Sequence, residues 1–109
     1  MLRRLSLPEH GAVELLVGVM LIAAPFFLGF GPAGLLASMV AGAVLAGLAI
    51  SDTLPIATHM AADTFVTAAL IAVALALAAN GETPAAGVLA AAGAGELALG
   101  LGTRWTRRA

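Results

Sequence analysis

The chain has no cysteine, no tyrosine and one tryptophan, and only 10% of its 109 residues are charged. Without cysteine there is no disulfide, no thiolate metal ligand and no cysteine nucleophile. The five basic residues are all arginines and lie only at the ends: Arg3 and Arg4, then Arg104, Arg107 and Arg108. That leaves no basic surface for nucleic acid. No serine, cysteine or lysine nucleophile stands beside a base, and the polar connections are too short to build a catalytic site. Nothing therefore points to an enzyme, and no cofactor is implied.

What remains is apolar. Hydrophobic residues make up 61% of the chain, whereas soluble domains carry about 25% charged residues and far less Ala, Leu, Val and Gly surface to hide. Such a composition suits a lipid bilayer as solvent. From Leu15 to Ser51 there is no charged residue across 37 positions, too many for one span of about 20 residues and enough for two. A cleavable signal peptide is disfavoured by Glu14 inside the first apolar stretch, by Pro25 where a small residue is needed, and by the equally apolar segments that follow.

Turn chemistry divides the apolar length. Gly29-Phe30-Gly31-Pro32-Ala33-Gly34 predicts a tight turn between helices over about 9–30 and 33–50. Ser51-Asp52-Thr53-Leu54-Pro55 offers N-cap residues and then a proline, predicting a third helix over about 55–79. Asn80-Gly81-Glu82-Thr83-Pro84 repeats that punctuation, with Thr83 as the expected cap of a fourth helix reaching about Gly102. Ser6-Leu7-Pro8-Glu9 has the spacing of a capping box for the first.

The reading is an all-α, integral membrane four-helix bundle made of two tandem helical hairpins. Its expected parts are a tail at 1–8, a first two-helix repeat at 9–51, a second at 52–103 and a basic tail at 104–109. Arginines flanking the outermost helices place both termini in the cytoplasm, which requires an even number of spans. A multi-pass cell-membrane protein with the lipid bilayer as its partner follows. Small residues recur at helical spacing, as Gly34, Ser38, Gly42 and Ala46 on the second helix and Gly87, Ala91 and Gly95 on the fourth. Such faces allow close helix packing within the chain or against a second copy in a homo-oligomer.

Sliding the chain by 49 residues lays His10-Gly-Ala-Val-Glu14 on His59-Met-Ala-Ala-Asp63, then Val17 on Val66 and Leu21-Ile22-Ala23 on Leu70-Ile71-Ala72. Each repeat holds two spans, so both insert with the same orientation, related by an axis along the membrane normal. The first hairpin, through Ala24-Pro25-Phe26 followed by Gly29-Phe30, resembles the SPW repeat, a two-helix membrane unit whose first helix carries Ser-Pro-Trp and then Gly-Phe. Here Ala replaces Ser, Phe replaces Trp, and the second repeat has Val73-Ala74-Leu75 without the proline. The resemblance implies a fold and a location rather than a reaction, hence a structural or accessory role. Read on its own, Pro25 removes one helical hydrogen bond and frees the carbonyl of Leu21.

Ionisable residues inside spans mark sites by default. Glu14, Asp63 and Glu96 each fall roughly 12 Å from the cytoplasmic ends of their helices, a common depth, with His10 and His59 one turn nearer that end on the faces of Glu14 and Asp63. Two readings stay open. The five residues hold or relay protons or a cation, as in a small coupled transporter; or they pair and fix helix register. Two histidines with flanking acids can ligate zinc, but the linear spacing supplies no full ligand set, so no metal site is read. The size and first-helix acid are shared with small multidrug resistance transporters, yet the aromatic lining for lipophilic cations is missing beyond Phe26, Phe27, Phe30 and Phe65.

Overall fold

The computed structural model describes residues 4–51 and 53–106 and contains four helices: α1 (Leu7–Leu28), α2 (Pro32–Ile50), α3 (Ile56–Ala79) and α4 (Thr83–Gly102). All four are long and apolar enough to cross a bilayer, α4 being the least apolar with a mean hydropathy of 1.5 against 2.2 for α1. At about 1.5 Å per residue, 19 to 24 residues span the roughly 30 Å hydrocarbon core. The protein is a small multi-pass membrane protein. Its outer surface agrees: Phe26, Phe27, Ile50 and Phe65 are 68 to 85% exposed, which water would penalise and lipid does not.

Local chemistry sets the helix ends. Ser6 closes its capping box: its hydroxyl accepts from the backbone N–H of Glu9 and the Glu9 carboxylate accepts from its own N–H at 2.8 Å, so α1 begins at Leu7 and the preceding tail is shorter than expected. Gly29 ends α1 in the left-handed region at φ 65°, where a side chain would be strained, and Gly81 does the same after α3. Two expected caps are displaced. Pro55 itself occupies the N-cap of α3, with no side-chain cap from the preceding residues; Asp52 lies outside the described residues. Thr83 is the first residue of α4 rather than its cap, which is Glu82.

Glu82 works across the bundle instead. Its carboxylate accepts from the N–H of Gly34 at 2.9 Å, satisfying a donor that the first turn of α2 leaves unpaired. The freed carbonyl at Pro25 also finds a partner, since the buried Ser38 hydroxyl on α2 donates to Leu21 O at 2.6 Å. A proline inside a membrane helix is tolerated when a neighbouring helix satisfies the lost bond.

Each hairpin packs closely on itself. A Cβ at Gly18 would stand 2.8 Å from the carbonyl oxygen of Gly42, so α1 and α2 cross backbone to backbone. The α2 ridge of Gly34, Ser38 and Gly42 is buried as expected. On α4 the small residues Gly87, Ala91 and Gly95 point outward and take no part in packing within the chain, while Ala85, Ala86, Leu89, Gly93 and Glu96 face the interior. A stripe of small residues has no preferred side where nearly every position is small; the one acid, Glu96, and the bulky Leu89 and Leu99 orient this helix.

Around the bundle the helices follow in chain order, and α2 also approaches α4 across one diagonal. The other diagonal, between α1 and α3, has no close backbone approach among the described residues. The apolar core holds Leu21, Leu45, Leu70, Leu77 and Leu89, of which all but Leu45 lie in the half away from the chain ends. At the other end the segment before α1 meets the end of α4: Leu5 N–H donates to Gly102 O at 2.9 Å and Arg104 N–H to Leu5 O at 2.7 Å.

Candidate functional site

The gap between α1 and α3 is filled by the polar residues that the sequence placed at one depth. His10 and Glu14 are one turn apart on α1, His59 and Asp63 one turn apart on α3, and Glu96 comes from α4. Glu14 is fully buried, and His10, Glu96 and Asp63 are 2, 5 and 7% exposed. All five residues converge.

The contacts cross between the hairpins. His10 Nε2 stands 2.8 Å from Asp63 Oδ2 and 3.4 Å from Glu14 Oε2. His59 Nε2 stands 3.4 Å from Glu14 Oε1 and 3.5 Å from Asp63 Oδ2. Each histidine therefore meets the acid of its own helix and that of the other. Glu96 sets its carboxyl beside that of Glu14. Despite this crowding, both oxygens of Glu14, both of Glu96, Asp63 Oδ1 and His59 Nε2 are buried without a hydrogen-bond partner. Orphaned polar atoms in low dielectric are costly, so this group of acids requires protons or a cation to satisfy it.

Two residues missed by sequence reasoning complete the site. Thr103, fully buried just past α4, donates its hydroxyl proton to Leu99 O at 2.6 Å and so accepts from His10 Nδ1–H at 2.8 Å. Nε2 then meets Asp63 Oδ2 through a proton held by one of the two, the proton that a bound cation would replace. Trp105 folds back over the imidazoles, its ring 4.9 Å from that of His10 and 5.8 Å from that of His59, held by its indole N–H donating to Gly100 O at 3.0 Å. Thr103 follows Glu96 by seven residues, two turns on one face, a signal that could have been read.

A cleft of about 810 Å³ at the end where Leu5 meets Gly102 reaches His10 and His59, lined also by Glu9, Ser51, Arg104 and Trp105. The chain matches no protein-family model, no curated protein and no solved structure. The site must therefore be read from its own chemistry. Two imidazoles and three carboxylates, open to one side, can take up and release positive charge.

The remaining motif residues lie elsewhere. Ala24, Pro25 and Phe26 lie near the C-terminal end of α1, with Gly29 and Phe30 in the turn after it, and the carbonyl that Pro25 frees takes the Ser38 contact. Phe26 and Phe27 are exposed at the helix surface, and Phe65 lines an apolar cavity of about 280 Å³ with Val40, Val44 and Leu89 that none of the five ionisable residues lines.

Proposed function

We propose that this protein is a small cation-handling membrane protein of the cell membrane, which takes up protons or a cation from the cytoplasm at the His10–Glu14–His59–Asp63–Glu96 cluster. One observation carries the reading: Glu14, wholly buried, has two oxygens with no hydrogen-bond partner, amid four other ionisable groups of which a cleft reaches His10 and His59. Three carboxylates and two imidazoles in an apolar bundle need protons or a cation for charge balance. The cytoplasmic assignment rests on the terminal arginines, of which Arg4 and Arg104 are exposed at the cleft end; Arg3, Arg107 and Arg108 lie outside the described residues.

A second reading, a structural or accessory protein of SPW-repeat type, is favoured by the closed outer half. Beyond the cluster the core is leucine and alanine, with Ser38 already committed to Leu21, so the site opens to one side. Purified protein in liposomes separates the two. Under an imposed pH or cation gradient, cation handling gives a flux that Glu14→Gln, Asp63→Asn and Glu96→Gln each reduce. Flux indistinguishable from empty liposomes, and unchanged in all three variants, leaves only the accessory role.

A further inference from the structure

We infer that His10, Glu14, His59 and Asp63 form a four-coordinate site for a divalent transition-metal ion of the zinc class. The inference rests on the reading of the cluster as cation-binding and names the cation. Linear spacing shows only two ligand pairs, each one helical turn long. The bundle joins them, so that one ligand atom from each of the four residues lies within 4.8 Å of all the others.

Geometry suits a tetrahedral centre. Metal–ligand bonds of about 2.0–2.1 Å set ligand–ligand edges of about 3.3–3.4 Å. His10 Nε2 lies 3.4 Å from Glu14 Oε2 and 2.8 Å from Asp63 Oδ2, and His59 Nε2 lies 3.4 Å from Glu14 Oε1 and 3.5 Å from Asp63 Oδ2. One Glu14 oxygen serves as the ligand, so its carboxylate turns, the His10–Asp63 contact opens and the wider separations, all within 4.8 Å, close as an ion is admitted. One Glu14 oxygen and His59 Nε2, both without a hydrogen-bond partner, are among these atoms, so the same ion satisfies them.

The surroundings are those of a metal-bound imidazole. Thr103, its own proton held by Leu99, accepts from His10 Nδ1 and fixes the tautomer that leaves Nε2 free as a ligand. Two carboxylates and two neutral imidazoles around a divalent ion sum to zero charge, which a bilayer interior favours. Two nitrogen ligands select against Mg²⁺ and Ca²⁺, which prefer all-oxygen shells, and the absence of thiolate or thioether ligands at the site selects against Cu⁺.

The test uses the full chain, purified without a polyhistidine tag, in nanodiscs. Co²⁺ titration is expected to give the intense visible bands of a tetrahedral ion at one equivalent per chain, displaced by Zn²⁺ and not by excess Mg²⁺. Thr103→Val is expected to weaken Zn²⁺ binding by about 10–100-fold, and His59→Gln or Glu14→Gln by at least as much. Glu96→Gln is expected to retain the tetrahedral spectrum. Helical circular dichroism of each variant without metal reports folding, and a ligand variant that is folded yet binds Zn²⁺ as tightly as the parent overturns the site. So does an octahedral Co²⁺ spectrum, or displacement by Mg²⁺ at equal concentration. If Co²⁺ and Zn²⁺ fail to bind while proton uptake still depends on Glu14, the metal assignment falls and the proton-handling reading stands. If both fail, both fall.

Discussion

Replacing Ser38 by alanine probes how the bundle tolerates a proline in α1. Pro25 has no N–H, so the Leu21 carbonyl lacks its helical donor, and the Ser38 hydroxyl from α2 supplies one at 2.6 Å. Ser38 is fully exposed to nothing but protein, with 0% of its surface accessible, and Leu21 is 2% exposed. Hydrogen bonds between membrane helices average about 0.6 kcal/mol and reach about 1.7 kcal/mol, because the broken state usually finds another partner. Here the carbonyl has none within its own helix, which places Ser38→Ala near the upper figure, about 1.5 kcal/mol. Pro25→Ala restores an N–H to the helix, so in that background Ser38→Ala should cost less than about 0.5 kcal/mol, a coupling of about 1 kcal/mol. Equilibrium unfolding in mixed micelles, with helicity as the signal, measures all four corners of the cycle. Equal costs of Ser38→Ala in both backgrounds would refute the argument that Ser38 compensates for the proline.

Gly18→Ala should destabilise by about 1–3 kcal/mol, because its Cβ would stand 2.8 Å from Gly42 O and 2.9 Å from Ala46 N, both backbone atoms that cannot swing aside. Gly87→Ala, with open space around it, should be neutral or stabilising by up to about 1 kcal/mol, as unfolding of both variants would report. Glu82→Ala removes an acceptor and a negative charge from the N-terminus of α2 and should cost about 1–2 kcal/mol, while Glu82→Gln, which keeps the acceptor to Gly34, should cost about half as much by the same assay.

The architecture was legible because lipid makes hydropathy a strong signal and because glycine, proline and asparagine punctuate it. The observed helices start and stop within about two residues of those expected. Their caps were less legible: Thr83 and Glu82 are adjacent, both can cap, and what turned Glu82 toward Gly34 was a second hairpin 48 residues away. Nor could the α4 face be read from Gly87, Ala91 and Gly95, because small residues lie on every side of that helix.

For the site, the sequence by itself determined which groups lie in the membrane and at what depth, since rise per residue converts position into distance along each helix. The duplication placed His10 and His59, Glu14 and Asp63 at matching heights. Rotation about each helix axis has no such ruler. Only the tertiary structure decided that α1 and α3 face one another across an open diagonal, that His10 reaches Asp63 and His59 reaches Glu14, and that Thr103 and Trp105, 93 and 95 positions from His10 in the chain, close over them. Those contacts depend on how two hairpins dock, to which the close approach of Gly34 to Ala85, Glu82 bridging to Gly34 and Leu5 pairing with Gly102 and Arg104 contribute. Depth is a property of one helix; convergence belongs to all four.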